Sequence, residues 1–166
     1  MLAAFPRMGH IDILLGDLLD RLGIDYLLPP VNSEKTLVLG AKYAPEFSCL
    51  PLKLNIGNFI EALELGADTL IMAGGRGPCR FGYYAEIERR ILKDAGYDFN
   101  MITIEPPSLG FFKFVGPIKK VSGKSIRKIW RALKESFPKA RAFDQLEKLV
   151  LKTRCYEIKT GATTKA

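Results

Sequence analysis

"TLIMAGGRGPCRFGYYAEIERRILKDAG", residues 69–96, is the stretch whose reading decides the fold. Its first part, "TLIMAGG" (69–75), is a short apolar run of the kind that forms a buried strand. Its last part, "RFGYYAEIERRILKDAG" (80–96), carries a helical pattern and stops at Gly96. Between them lies "GGRGPC", three glycines and a proline that let the chain reverse sharply. A buried strand, a tight turn and a helix make the repeating unit of a parallel α/β sheet.

The same alternation extends outward on both sides. Downstream, "FNMITIEPP" (99–107) reads as another strand, ended by two prolines. Upstream, "SCLPLKLNIGNFIEALELGAD" (48–68) reads as a helix. Ser48 is its expected N-cap, Pro51 sits in the first turn where its missing N–H costs nothing, and Gly66 is the stop. Leu52, Ile56, Phe59, Ile60 and Leu63 form its apolar stripe. "NSEKTLVLGAKY" (32–43) opens with the capping residues Asn32 and Ser33 and fits a short helix, with a strand over "TLVL" as the alternative. "IDYLL" (24–28), "HIDILLGDLLDRLG" (10–23) and "LAAF" (2–5) read as strand, amphipathic helix and strand. The pattern predicts a three-layer α/β domain, Rossmann-like or flavodoxin-like, with a parallel sheet between two helical layers. Residues 1–107 form this lobe.

Past residue 107 the pattern weakens. Residues 108–123 are a poorly patterned connection, followed by two expected helices over 124–137 and 139–157. Residues 108–166 therefore read as a basic C-terminal helical extension, packed on the lobe or linking from it. The last residues, "IKTGATTKA", look like a linker that stops without a closing element, as in one lobe of something larger.

The chain has 166 residues, one domain's worth, and a net charge of +7 that is unevenly spread. Residues 1–112 carry a balance of −4, residues 113–166 a balance of +11. A basic tail can hold an acidic partner, nucleic acid or a nucleotide-like phosphate, or it can be a solvated helix face. Phe111, Phe112, Phe114 and Trp130 accompany it, but no nucleic-acid module does, so packing onto the lobe is the preferred role. No apolar run is long enough to span a bilayer, and "MLAAFPRMGH" lacks the pattern of a signal peptide, so a cytoplasmic protein without a membrane partner is expected.

Three widely spaced cysteines, Cys49, Cys79 and Cys155, give neither a disulfide framework nor a zinc-type pair. Ligands of a parallel α/β sheet bind where strands run into helices, and "GGRGPC" occupies such a turn. Gly74, Gly75 and Gly77 permit close backbone approach, Pro78 starts the next helix, and Arg76 and Arg80 flank Cys79. A cysteine at a helix start beside positive charge is biased toward the thiolate. Cys49 repeats the arrangement in "C-L-P", with Lys53 one turn on. Buried packing is the ordinary role of a free cysteine, and it explains one such residue better than a matched pair.

Other chemistries are weaker. A Cys79 nucleophile would need His10, the only histidine, and no third orienting group is identifiable. A phosphate loop at "GGRGPCR" lacks the third glycine, because Arg80 stands there. "IKKVSGKS" (118–125) ends like a phosphate loop, but Ile118 replaces its first glycine and no strand precedes it. A binding module without catalysis remains the alternative, holding a CoA-like or nucleotide phosphate through the glycine turn, the arginines and the basic tail.

Four stretches, "FPRMG", "KYAPEFSCLPLK", "GNFIEAL..GAD" and "GGRGPCRFGYY", carry a family likeness. The chain resembles the 2-hydroxyacyl-CoA dehydratase superfamily, nearest the dehydratase-related proteins that accompany CoA-enzyme activases in anaerobic bacteria. The likeness covers most of residues 1–107 and, more loosely, the "RALK…LEKL" tail. It implies Rossmann-like lobes holding a low-potential iron–sulfur cluster, of 4Fe-4S type, between them. Two cysteines of the first lobe and one of the second ligate it, and an ATP-dependent activase supplies single electrons. By that resemblance Cys49 and Cys79 are the two first-lobe ligands. The remaining ligand is expected from a second dehydratase-like lobe or subunit, or across a homodimer. Cys155, in "KTRCYEIKTG", stands outside the family pattern and is at most a further ligand.

Overall fold

In the computed structural model, which describes residues 1–75 and 78–165, the alternating pattern becomes a four-stranded sheet. The strands are β1 (Ala3–Ala4), β2 (Tyr26–Leu27), β3 (Thr69–Ala73) and β4 (Asn100–Ile104), all parallel and in the order β2-β1-β3-β4. Ala3 pairs with Tyr26 on one side and Thr69 on the other, and Thr69 pairs with Asn100. The order reverses direction between β1 and β3, so the turns leaving these two strands diverge and leave a crevice. This is the flavodoxin-like variant of the expected three-layer architecture.

Side chains of the central strands alternate between two cores, as a period of two requires. Ala4, Leu70 and Met72 face the first core with Leu52, Ile56, Phe59 and Ile60 of α3 (Leu50–Glu64) and Tyr84, Ala85 and Leu92 of α4 (Tyr84–Asp94). Ala3, Phe5 and Ile71 face the second core with Leu19 and Leu22 of α1 (Ile11–Leu22), Val115 and Ile118 of α5 (Phe111–Ser122) and Ile129 and Ala132 of α6 (Ile126–Arg154). Residues 111–132 thus supply part of one helical layer.

Two expectations fail in this segment. The connection over 108–123 contains the helix α5, which continues through Pro117 because Val115 and Ile118 anchor it on the sheet. The two helices expected over 124–137 and 139–157 are one continuous α6, with Pro138 in its interior and exposed to solvent. The first half of α6 is held by Ile129 and Ala132, while most of its second half is exposed. A short α7 (Ala162–Lys165) follows. No helix among the described residues is long and apolar enough to cross a membrane.

The helix α2 (Glu34–Tyr43) lies on α3 and fixes where α3 begins. Ser33 caps α2 reciprocally, its hydroxyl accepting from the Thr36 N–H while Thr36 Oγ1 accepts from the Ser33 N–H. The Thr36 hydroxyl also donates to the buried Glu61 of α3 at 2.8 Å. Two glycines let the backbones nearly touch: a Cβ on Gly40 would lie 1.7 Å from the Lys53 carbonyl oxygen, and one on Gly57 2.0 Å from that of Thr36.

Candidate functional site

Cys49, and not Ser48, occupies the N-cap position of α3, with extended backbone at φ −68° and ψ 153°. Pro51 lies in the first turn as expected. Cys79 precedes a four-residue 3-10 turn, Arg80–Tyr83, and α4 itself starts only at Tyr84. The helix start expected directly at Cys79 is therefore displaced by one tight turn. Both thiols are exposed.

The two cysteines, 30 positions apart in sequence, line one pocket of about 400 Å³ on the first-core side of the sheet. Its walls are apolar, from Pro45, Phe47, Leu52 and Ile87, and its other polar side chains are Ser48, Arg80 and Tyr84. The packing of α3 and α4 against the same face of β3 brings them together. Tyr84, only 3% exposed, places its hydroxyl in hydrogen-bond contact with the Cys49 sulfur. That bond is the main cause that holds the Cys49 thiol below its ordinary pKa, with smaller help from the backbone N–H of Leu52 and the charge of Arg80. Burial, then the bond to Cys49 and the charges of Cys49, Cys79 and Glu88, push the Tyr84 phenol well above its ordinary value. A phenol in that state acts as a donor, so the proton of the contact belongs to the oxygen whenever the sulfur is a thiolate.

One turn behind Tyr84, Glu88 is fully buried. Neither carboxyl oxygen has a hydrogen-bond partner among the described residues. Burial pushes this carboxyl up to about 8, against a lowering contribution from the Asn55 amide. Glu88 is therefore mostly protonated at neutral pH. Tyr84 and Glu88 were not among the residues the sequence singled out. Tyr84 lies inside the "CRFGYY" run, where nothing but its place after Cys79 marks it.

The other expected site residues divide. Arg80 lines the pocket. Lys53 does not reach the sulfurs; its ammonium donates to the Glu46 carbonyl at 3.0 Å. Gly74 follows β3, and a Cβ there would meet the Glu105 carboxylate oxygen at 2.7 Å. A carboxylate against the glycine turn opposes a phosphate at that point by like charge. Among the described residues, a Cβ on Gly75 would meet Gly82 at 4.0 Å. Arg76 and Gly77 lie outside the described residues.

Cys155 is at the far end of α6, exposed, its sulfur near the Leu151 carbonyl at 3.4 Å, and it does not line the pocket. His10 stands at the start of α1, where it stacks on Phe143 of α6 and lies 3.7 Å from the Glu147 carboxylate. It does not line the cysteine pocket. The "VSGKS" stretch joins α5 to α6, with Gly123 at φ 61° closing the first helix and Ser125 preceding the second.

What the site offers chemically is two soft sulfur donors facing a common space, with a phenol and a guanidinium beside them. Among the described residues no group of three or more histidine, cysteine, aspartate or glutamate side chains is placed to hold a metal ion. Comparison with protein-family models, with curated proteins and with solved structures finds no match to this chain.

Proposed function

We propose that this chain is the iron–sulfur-binding lobe of a 2-hydroxyacyl-CoA dehydratase-like, ATP-coupled electron-transfer system, with Cys49 and Cys79 as its ligands. The observation that carries the proposal is the convergence of these two exposed thiols on one apolar-walled pocket. The donor set fits part of a 4Fe-4S site, whose irons take thiolate ligands. Cys49 and Cys79 hold their share, and the remaining ligands come from a second dehydratase-like lobe or subunit, or from a second copy of the chain. Such a cluster, when bound, supplies low-potential one-electron transfer. Arg80 and the Tyr84 hydroxyl set positive charge and a hydrogen bond against the electron-rich sulfurs, the outer-shell support that thiolate ligation needs. The partner that loads electrons is an ATP-dependent activase. A cytoplasmic, anaerobic setting follows from this chemistry.

The test is anaerobic reconstitution of the purified chain with ferrous iron and sulfide, followed by visible absorption and iron and sulfide analysis. Broad thiolate-to-iron absorption is expected in the unsubstituted chain and in Cys155→Ser, and its loss in Cys49→Ser and in Cys79→Ser. Colour retained in both single variants refutes the assignment.

A further inference from the structure

We infer that Tyr84 is a positioning residue for Cys49: its hydroxyl donates to the Cys49 sulfur and holds that sulfur toward Cys79 across the pocket. The inference deepens the proposed site and rests on that reading only where a metal is concerned.

Three observations carry it. The phenol oxygen has the Cys49 sulfur as its hydrogen-bond partner among the described residues. The ring is almost wholly buried, 3% exposed, so water does not compete for the hydroxyl as it would at the surface. The ring is also fixed sideways: Tyr84 belongs to the first core and packs on Phe81 with ring centroids 5.2 Å apart. The donor is therefore rigid while the acceptor stands on an exposed helix start, and without this contact only the weaker help of the Leu52 N–H would bias its rotamer. Cys49 sits at the N-cap position with no side-chain capping bond to hold it. A single buried hydroxyl on α4 thus selects the direction of a thiol on α3. Outer-shell hydrogen bonds of this kind orient metal ligands and change the electron density on them.

The experiment is Tyr84→Phe, which keeps the ring and removes only the hydroxyl, made in a Cys155→Ser background. Two readouts are taken. In the metal-free protein, dibromobimane, which becomes fluorescent when it bridges two nearby thiols, reports whether Cys49 and Cys79 face each other. Wild-type Tyr84 is expected to give the bridged product, and Tyr84→Phe several-fold less of it at equal total thiol modification. In the second readout Co²⁺ is the metal probe. Tyr84→Phe is expected to move the thiolate-to-cobalt charge-transfer band to lower energy and to weaken cobalt binding about tenfold.

Reduced bridging together with a band shift supports both the inference and the metal site. Reduced bridging where cobalt gives no thiolate band even in the parent protein supports Tyr84 and overturns the metal reading. Unchanged bridging, whatever cobalt does, overturns the inference. Should Tyr84→Phe fail to fold, Cys49→Ala carries the test from the other side. It leaves the phenol without its acceptor, so the near-ultraviolet tyrosine absorption must shift to shorter wavelength, and an unchanged spectrum overturns the inference.

Discussion

Glu88→Gln should flatten the dependence of folding stability on pH, and the size of the effect is set chiefly by burial. Glu88 is fully buried on α4 with neither carboxyl oxygen hydrogen-bonded among the described residues. Its carboxyl is raised from 4.5 to about 8, burial being the cause. Between those two values the folded chain holds a proton that the unfolded chain releases. Raising the pH therefore favours the unfolded state, by up to about 1.4 kcal/mol for each pH unit inside the window. From pH 5 to pH 7 the loss comes to about 2–3 kcal/mol, and it levels off once the pH passes the folded-state value and Glu88 ionises in both states. With a urea dependence of about 2 kcal/mol per molar, the unfolding midpoint should fall by about 1 M over that range. Glutamine keeps the shape and cannot ionise, so it removes this slope. A buried amide has its own unpaired groups, so the slope, and not the absolute stability, is the clean readout. The assay is urea unfolding at pH 5, 6, 7 and 8 followed by circular dichroism. All other ionisable groups are the same in both proteins and cancel in the difference. Parallel midpoint curves for the two proteins would refute a buried Glu88 held protonated at neutral pH.

Gly40→Ala should destabilise the lobe by about 3 kcal/mol, because its methyl would meet the Lys53 carbonyl oxygen at 1.7 Å and α2 must lift off α3. Thermal melting measures this, and an unchanged melting temperature would mean that the helices do not approach so closely. Asp17→Asn tests how α6 is held on α1. Asp17 accepts from Arg21 and from Ser136 and pairs with Lys139, and these contacts, Arg21 first, keep its carboxyl far below the ordinary range. A lowered carboxyl stabilises the fold above its unfolded value of about 3.8 and loses that contribution as the pH falls below it. The substitution should cost about 1 kcal/mol at pH 7 and progressively less as the pH falls below about 3.8, read as faster amide exchange in α6 near residues 136–139 at pH 7. Equal exchange rates at pH 7 would overturn it.

Where the sequence carries local chemistry, it predicts local structure well. Gly23, Gly66 and Gly96 end their helices in the left-handed region, at φ 65°, 99° and 90°, which a patterned run followed by glycine leads one to expect. Ser33 caps α2, and Pro51 sits in the first turn of α3. The errors come where tertiary packing outweighs a local rule. Proline in a helix interior removes one hydrogen bond and clashes with the preceding turn, which argues locally against helices running through Pro117 and Pro138. Pro117 is carried by Val115 and Ile118, which bury themselves on the sheet on either side of it. Pro138 lies on the exposed side of α6, between anchors to α1 at Ser136 and Lys139. A single sequence shows the cost of each proline and not the contacts that offset it.

The candidate site has the same division, with a sharper consequence. Cys49 and Cys79 are legible because each stands in a turn with its own local signature, "C-L-P" and "GGRGPC". Tyr84 and Glu88 have no such signature, since their importance arises only from which face of α4 meets α3. On a helix of period 3.6, positions 84, 88 and 92 fall on one side, and Tyr84, Glu88 and Leu92 are all buried. Read as a stripe, a glutamate between an aromatic and a leucine looks like a lapse in the apolar face. Placed against the cysteine pocket, the stripe becomes graded: apolar at Leu92, a neutral acid at Glu88, and a hydroxyl at Tyr84 where the helix reaches the sulfur. The polar residues of this stripe thus lie toward the thiols and the apolar one away from them. A helix serving only to fill the core would have no reason to bury a carboxyl one turn from the pocket, with neither oxygen hydrogen-bonded among the described residues, at a cost in stability that Leu or Met at position 88 would avoid.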